Sequence, residues 1–117
     1  MLRRYHRDLG IPGELPDPVI GAALTYTAHA HQEACKDHAQ HCLPPSVPMR
    51  FDVIEVEAED GALVKWVIRF PISKDYDLVL AVSSTYLVKT VWVNRAEDTH
   101  LMNFDRSKYD RPEPVGV

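Results

Sequence analysis

Apolar and charged residues alternate in the middle of the chain. From Val64 to Phe70 every second residue is large and apolar, and the charged Lys65 and Arg69 stand between them. A period of two is typical of a strand with one buried face, because successive side chains of a strand point to opposite sides. The same alternation runs through residues 54–58, so we predict two neighbouring strands.

These two strands are joined by a segment that contains Asp60-Gly61. An Asp-Gly pair between alternating runs indicates a hairpin, since glycine tolerates the positive φ that the turn requires. A second hairpin is predicted from residues 77–82 and 87–93. Its first strand is apolar throughout from Leu78 to Val82, which predicts a central strand covered on both faces. The sequence therefore predicts a four-stranded antiparallel meander from Phe51 to Asn94.

One main helix is predicted from Ala28 to about His41. Thr27 is suited to be its N-cap, the alanines of the segment favour helix, and Leu43-Pro44-Pro45 ends it. Small side chains would let this helix lie close to the sheet. The predicted fold class is α+β, with one main helix packed on a four-stranded antiparallel β-meander.

The rest of the chain is predicted to cover this unit. Residues 1–17 are rich in proline and glycine, which predicts an irregular N-terminal arm. Residues 95–112 are predicted to form a C-terminal cover, anchored by Leu101, Phe104 and Tyr109, and residues 113–117 to be disordered. A chain of 117 residues can bury one core of its own, so a single domain is expected.

Composition limits the classes of partner. The net charge is −4 and the two signs are interspersed, which is not the footprint of nonspecific binding to nucleic acid or to an anionic membrane. The sequence has no apolar run of about twenty residues and no apolar core of a signal peptide, so a cytoplasmic protein without a membrane partner is expected. The two cysteines are then expected to be reduced thiols.

Histidine and cysteine are dense in the predicted helix. His31, Cys35, His38 and Cys42 follow one another at spacings of four, three and four, which places them on one helix face. The first and last would be roughly 16 Å apart along the axis, so one zinc ion cannot bind all four. Two of them together with His100 could still form a site. We favour free thiols and partly exposed histidines, and we predict no metal and no cofactor.

The order of these elements resembles that of a known group. Tyr26 to Ala30 opens a helix, a meander ends in Val88 to Asn94, and the segment Asp98 to Tyr109 follows. In this, the stretch of residues 26–112 resembles small hypothetical proteins encoded by phages of actinobacteria. The resemblance implies an accessory protein that acts in the cytoplasm of a bacterial host cell.

The helix-then-meander layout is also similar to that of the metal-independent ribonuclease toxins of the barnase, colicin and RelE group. Such a reaction needs a general acid, a general base and cations beside the phosphate. His29 and His100 are the acid/base candidates, because histidine titrates near neutrality. Lys65, Arg69 and Lys89 are the candidate phosphate-binding residues.

Two function classes remain open. Toxins of that group are usually strongly basic and this chain is acidic, while Lys65 and Arg69 can equally pair with Glu55 and Glu57 on a solvated face. We therefore favour a non-catalytic accessory protein that binds a protein of the bacterial host. The alternative is a metal-independent ribonuclease-like toxin, or a degenerate relative of one, that binds RNA.

The cysteine and histidine pattern gives a first prediction. Protein purified without chelator should contain no stoichiometric zinc and should titrate two free thiols in denaturant. Metal analysis and thiol titration of the same sample measure both quantities. Bound zinc, or fewer than two thiols, would show that the histidine-rich segment is a metal or disulfide site.

Overall fold

A computed structural model describes residues 1–98 and 106–112. Within these ranges it has six strands and one α-helix: β1 (Leu2–His6), β2 (Thr25–Tyr26), α1 (Ala28–Lys36), β3 (Asp52–Glu59), β4 (Ala62–Pro71), β5 (Tyr76–Ser83) and β6 (Leu87–Arg95). Short 3-10 turns lie at Gln40–Cys42 and Arg106–Lys108. The strands form one sheet in the order β1-β3-β4-β5-β6-β2, and every pair is antiparallel except β2 with β6.

The predicted meander is confirmed as the centre of this sheet. β3, β4, β5 and β6 are consecutive antiparallel neighbours. At the first hairpin Asp60 and Gly61 have φ values of 52° and 82°, the left-handed conformation that matches a tight turn to the twist of its strands. The α+β class is right, but the predicted count of four strands is wrong, because β1 and β2 extend the sheet at its two edges.

The predicted irregular N-terminal arm in fact begins with a strand. β1 pairs with β3, with Arg4 opposite Glu57 and His6 opposite Glu55. The prolines of the arm follow the strand in sequence, so they leave its backbone hydrogen bonds intact. Its polar residues suit an edge strand whose basic side chains meet carboxylates of its neighbour.

α1 begins where the sequence predicts. The Thr27 hydroxyl accepts a hydrogen bond from the Ala30 amide at 3.1 Å and so caps the first turn. Ala30 and Ala34 are fully buried against the sheet. The Glu33 carboxylate reaches the sheet edge, where it accepts the Val91 amide of β6 at 3.2 Å. The helix therefore also protects part of the outer edge of β6.

The predicted end of the helix at His41 is wrong, because α1 ends at Lys36. His38 has a φ of 55°, its amide donates to the Cys35 carbonyl, and the Ala39 amide donates to the Ala34 carbonyl. This pair of bonds is a Schellman motif, in which a left-handed residue ends the helix. The histidine and cysteine positions after Lys36 thus do not continue along one helix face.

The face of the sheet that α1 covers holds the main core. Its apolar side chains come from β3 to β6, with Trp66, Ile68, Leu78, Leu80 and Val88 among them. Beside the helix two segments pair with each other: the Gly21 amide with the Val47 carbonyl, and the Val47 amide with the Ala22 carbonyl, both at 2.9 Å. Helix and paired loops together form the covering layer of this first face.

The second face carries a smaller apolar cluster and most of the sheet's charges. Ile54, Val67, Val79 and Ala81 form the cluster, with Trp92 packed against it. Because side chains alternate, Lys65 and Arg69, two positions before and after Val67 in β4, also lie on this face.

The described end of the chain packs at the β1 edge of the sheet. Tyr109 stacks edge-on against His6 at 5.2 Å between ring centroids and donates a hydrogen bond to Glu55. The Asp110 amide bonds the Arg4 carbonyl at 2.7 Å. Of the predicted C-terminal anchors, Leu101 and Phe104 lie outside the described residues, as do residues 113–117.

A half-buried tyrosine, Tyr26, links β2 to the loop that covers the core, and it generates a pH prediction. The Tyr26 hydroxyl donates to the Pro44 carbonyl, and burial raises the pKa of Tyr26 from 10.0 to about 12. The unfolded chain then loses this proton first, so the free energy of unfolding should fall between pH 10.0 and about 12 and be unaffected below that window. Tyr26→Phe should lower stability by about 1 kcal/mol at neutral pH.

The same substitution should reduce the alkaline loss. Urea unfolding of wild type and Tyr26→Phe across this pH window measures the difference between the two slopes. Equal slopes in both proteins would contradict the assignment of this proton to Tyr26.

Candidate functional site

A concave surface lies where the end of α1 meets the sheet. This helix-end groove has a volume of about 580 Å³. Its walls come from the turn after α1 and from the segments that end β4, begin β5 and end β6: Asp37, His38, Ala39, His41, Cys42, Ile72, Ser73, Tyr76 and Val93. Apolar side chains from the sheet side therefore face a rim of histidine and carboxylate.

Local backbone geometry forms both sides of the helix-end groove. On one side the Schellman motif turns the chain at His38 and buries Ala39, while His38 and His41 stay exposed. On the other side the amides of Ile72 and Ser73 both donate to the Tyr76 carbonyl, and the Ser73 hydroxyl accepts the Tyr76 amide at 3.1 Å. This tight turn holds the Tyr76 ring 44% exposed.

The metal hypothesis gains nothing from this geometry. Within residues 1–98 and 106–112, no group of three histidine, cysteine or acidic side chains is placed to hold a metal ion. Cys35 and Cys42 are both free thiols. The alternative site that would combine two of these residues with His100 needs a histidine outside the described residues.

The first acid/base candidate, His29, lies exposed in the first turn of α1. Its Nε2 is 3.2 Å from the Glu33 carboxylate, which also accepts the Val91 amide. The second candidate, His100, lies outside the described residues, so the predicted approach of these two histidines stays a prediction.

The three candidate phosphate-binding residues lie in different surroundings. Lys65 Nζ lies 3.3 Å from the Glu57 carboxylate, which Arg4 also contacts at 2.8 Å. The Lys65–Glu57 pair of the favoured interpretation is thus present. Lys89 is exposed on β6, beside the register shift between Ala81 and Val82. Lys65 is therefore already paired with a carboxylate, while the Lys89 side chain is exposed to solvent.

Arg69 forms a buried ion pair, although not with the predicted partner. Its side chain is 6% exposed, and its Nε donates to the Asp77 carboxylate at 2.7 Å. One terminal nitrogen donates to the Arg95 carbonyl at 3.0 Å. The hairpin between β4 and β5 brings Asp77 close, whereas Glu55 binds Tyr109 instead. Arg69 therefore holds three strands together and is not open to a phosphate.

The sheet separates the candidate catalytic residues. α1, which carries His29, packs on the first face together with Trp66 and Ile68. Lys65 and Arg69 alternate with these residues and so point to the second face. A phosphate bound between Lys65 and Arg69 would lie on the other side of the sheet from His29.

Sequence reasoning missed some of the residues that shape the surface. Asp77 stands at the start of β5, and its position diagonally opposite Arg69 follows only from the strand register. Tyr76 was missed because the strand was predicted to begin at residue 77, whereas β5 begins at Tyr76. The sequence did contain one signal of exposed apolar residues. Val19 and Ile20 stand between Pro18 and Gly21, and proline and glycine mark turns, which lie at the surface.

Comparison with known proteins adds no relative. No family model matches the chain, and neither a curated protein nor a solved structure matches it. Among the described helices, none is long and apolar enough to cross a membrane. Interpretation of the surface therefore rests on the chemistry of the groove and of the charged pairs.

The two ion pairs of Arg69 and Arg95 give a prediction about stability. Asp77→Ala leaves the buried Arg69 without its carboxylate and should lower the free energy of unfolding by about 3–5 kcal/mol. Glu97→Ala breaks the exposed Arg95–Glu97 pair and should cost less than about 1 kcal/mol. Urea unfolding at neutral pH compares the two variants. Equal effects would mean that the Arg69–Asp77 pair is not buried in solution.

Proposed function

We propose that this chain is a small phage-type accessory protein that binds a protein of the bacterial host, in the host cytoplasm, without catalysing a reaction. The observation that carries the proposal is the helix-end groove, with its apolar floor and the half-exposed Tyr76 at its side. Aromatic side chains in such positions are frequent anchors of protein interfaces. The phage-type interpretation rests on the order of elements and stays a proposal.

The chemistry of the groove suits a protein segment as its ligand. Ile72 and Val93 offer apolar surface for an aliphatic or aromatic side chain, while His38 and Asp37 offer a hydrogen-bond donor and a carboxylate at the rim. Mixed donors and acceptors around an apolar centre match the usual plan of a protein interface. A polyanion such as RNA would instead require an excess of unpaired cations.

The charged pairs of the second face support the same choice. Of the cations that a ribonuclease would need, Lys65 is held by Glu57 and Arg69 by Asp77. These pairs would have to break before either side chain could bind a phosphate. The ribonuclease alternative stays open to a direct test through His29 and His100.

A capture experiment tests the binding proposal. Immobilised wild type should retain a specific host protein from a bacterial lysate, identified by mass spectrometry and then confirmed with the purified partner. Tyr76→Ala together with His41→Ala should reduce the affinity at least tenfold, because loss of an interface anchor costs roughly 2 kcal/mol or more. Lys89→Ala, an exposed change outside the groove, is the matched control and should bind as wild type does.

An RNA-cleavage assay on the same preparation separates the two functions. We expect no cleavage above that of a mock preparation. Cleavage that falls roughly 10²-fold or more in His29→Ala or His100→Ala would favour the ribonuclease alternative, since a general acid or base contributes about that much. Capture that the groove variant leaves unchanged would reject the helix-end groove as the binding surface.

A further inference from the structure

A second surface lies where the covering loops meet the ends of β3 and β4, and its lining residues differ from those of the helix-end groove. Val19, Ile20 and Met49 are exposed by 63%, 55% and 82% and form what we call the apolar patch. Ile20 and Met49 line one cavity of about 510 Å³, next to Phe51 and Pro71. Single exposed apolar residues are ordinary, but Ile20 and Met49 line the same cavity and Val19 adjoins Ile20 in the chain, and grouped apolar residues mark an interaction site.

The apolar patch is held in place by backbone bonds. Gly21 and Val47, which pair with each other, follow Ile20 and precede Met49 along the chain. The Val19 amide also donates to the Tyr86 hydroxyl at 3.1 Å. The two parts of the patch therefore stay side by side without a partner, so little conformational entropy is lost on binding.

Charged residues of both signs surround the patch. Arg50, Asp17 and Asp52 line the same cavity. Within the described part of the chain, none of these three side chains forms an ion pair. Arg69 lines the same cavity but is paired with Asp77, and Arg4 and Arg95 elsewhere also pair with carboxylates. Besides the paired Arg69, the cavity thus offers one exposed cation and two exposed carboxylates that are able to pair with a binding partner.

This combination fits a second copy of the same chain. In a two-fold symmetric interface every contact occurs twice, because a residue pair formed from the first copy to the second is also formed from the second copy to the first. A surface that carries both signs beside an apolar centre can therefore pair with a second copy of itself. We infer that the apolar patch forms a symmetric homodimer, in which Arg50 of each copy pairs with Asp17 or Asp52 of the other. A partner of one dominant charge would leave one of the two signs unpaired.

The size of the patch sets the expected affinity. It consists of three apolar side chains with three charged ones beside them, whereas a standard interface uses about 800 Å² and roughly 20–30 residues per partner. We therefore expect a weak dimer, with a dissociation constant in the range of about 1 μM to 1 mM. The dimer surface shares no lining residue with the helix-end groove, so this inference is independent of the proposed host partner.

Sedimentation of the purified full chain over a concentration series up to about 1 mM tests the apolar contact. Wild type should show a monomer–dimer equilibrium. Met49→Ser should raise the dissociation constant at least about tenfold. Leu2→Ser, at a 50% exposed position on β1, is the matched control and should leave it unchanged, as should Tyr76→Ala in the groove.

A charge exchange tests the pairing itself. Arg50→Asp alone and Asp17→Arg with Asp52→Arg alone should each weaken self-association, because like charges then face each other across the two-fold axis. An equal mixture of the two variants should recover the wild-type dimer population, since every changed side chain then meets the opposite sign. Circular dichroism melting confirms that each variant is folded.

Three outcomes would overturn the inference. Wild type that stays monomeric up to about 1 mM has no such interface. A dimer that Met49→Ser leaves unchanged uses another surface. A mixture of the charge variants that stays monomeric would show that Arg50 does not meet a carboxylate of the other copy.

Discussion

Burial of both faces of β5 is the constraint on which the rest of the structure depends. From Leu78 to Val82 each residue is at most 5% exposed. Successive side chains of a strand point to opposite sides, so an unbroken apolar run is stable only if the sheet is covered twice. α1 and the paired loops cover the first face. On the second face the charged side chains of neighbouring strands must lie beside the apolar cluster.

Burial of residues on the second face requires the charged side chains there to form ion pairs. A buried guanidinium without a partner is strongly destabilising, and Arg69 accordingly meets Asp77 and the Arg95 carbonyl. Glu57, 8% exposed, lies between Arg4 and Lys65 in the same way. Cations that would suit a phosphate by residue type are used to neutralise carboxylates of adjacent strands. Catalysis at this face would therefore compete with the stability of the fold.

Sequence reasoning succeeded where the signal is local and failed where it depends on distant pairing. The meander follows from alternation and from Asp60-Gly61, which act within a few residues. β1 was missed because it pairs with β3, which places Arg4 opposite Glu57, 53 residues away. No local sequence pattern reveals such a distant pairing. The end of α1 was missed because His38 occupies the left-handed position after the helix, where glycine is usual.

The candidate site shows the same division. Residue types alone identified Lys65 and Arg69 as possible ligands, and register alone assigns their partners. A register shift after Val53 places Ile54 in the second-face cluster while Glu55 meets Tyr109. A one-residue irregularity of this kind changes which face a side chain occupies, and hydrophobic periodicity cannot reveal it.

Two tyrosines join covering segments to the rest of the fold. Burial raises the pKa of Tyr26, and burial together with the hydrogen bond to Glu55 raises the pKa of Tyr109. Both hydroxyls donate hydrogen bonds, Tyr26 to the Pro44 carbonyl and Tyr109 to the Glu55 carboxylate, and so tie covering segments to the sheet. Of the exposed side chains with binding potential, Met49 belongs to a loop of the covering layer and Tyr76 is the first residue of β5. The surfaces that we propose for recognition therefore lie on the loops that bury β5 on the first face and on the end of the sheet beside them.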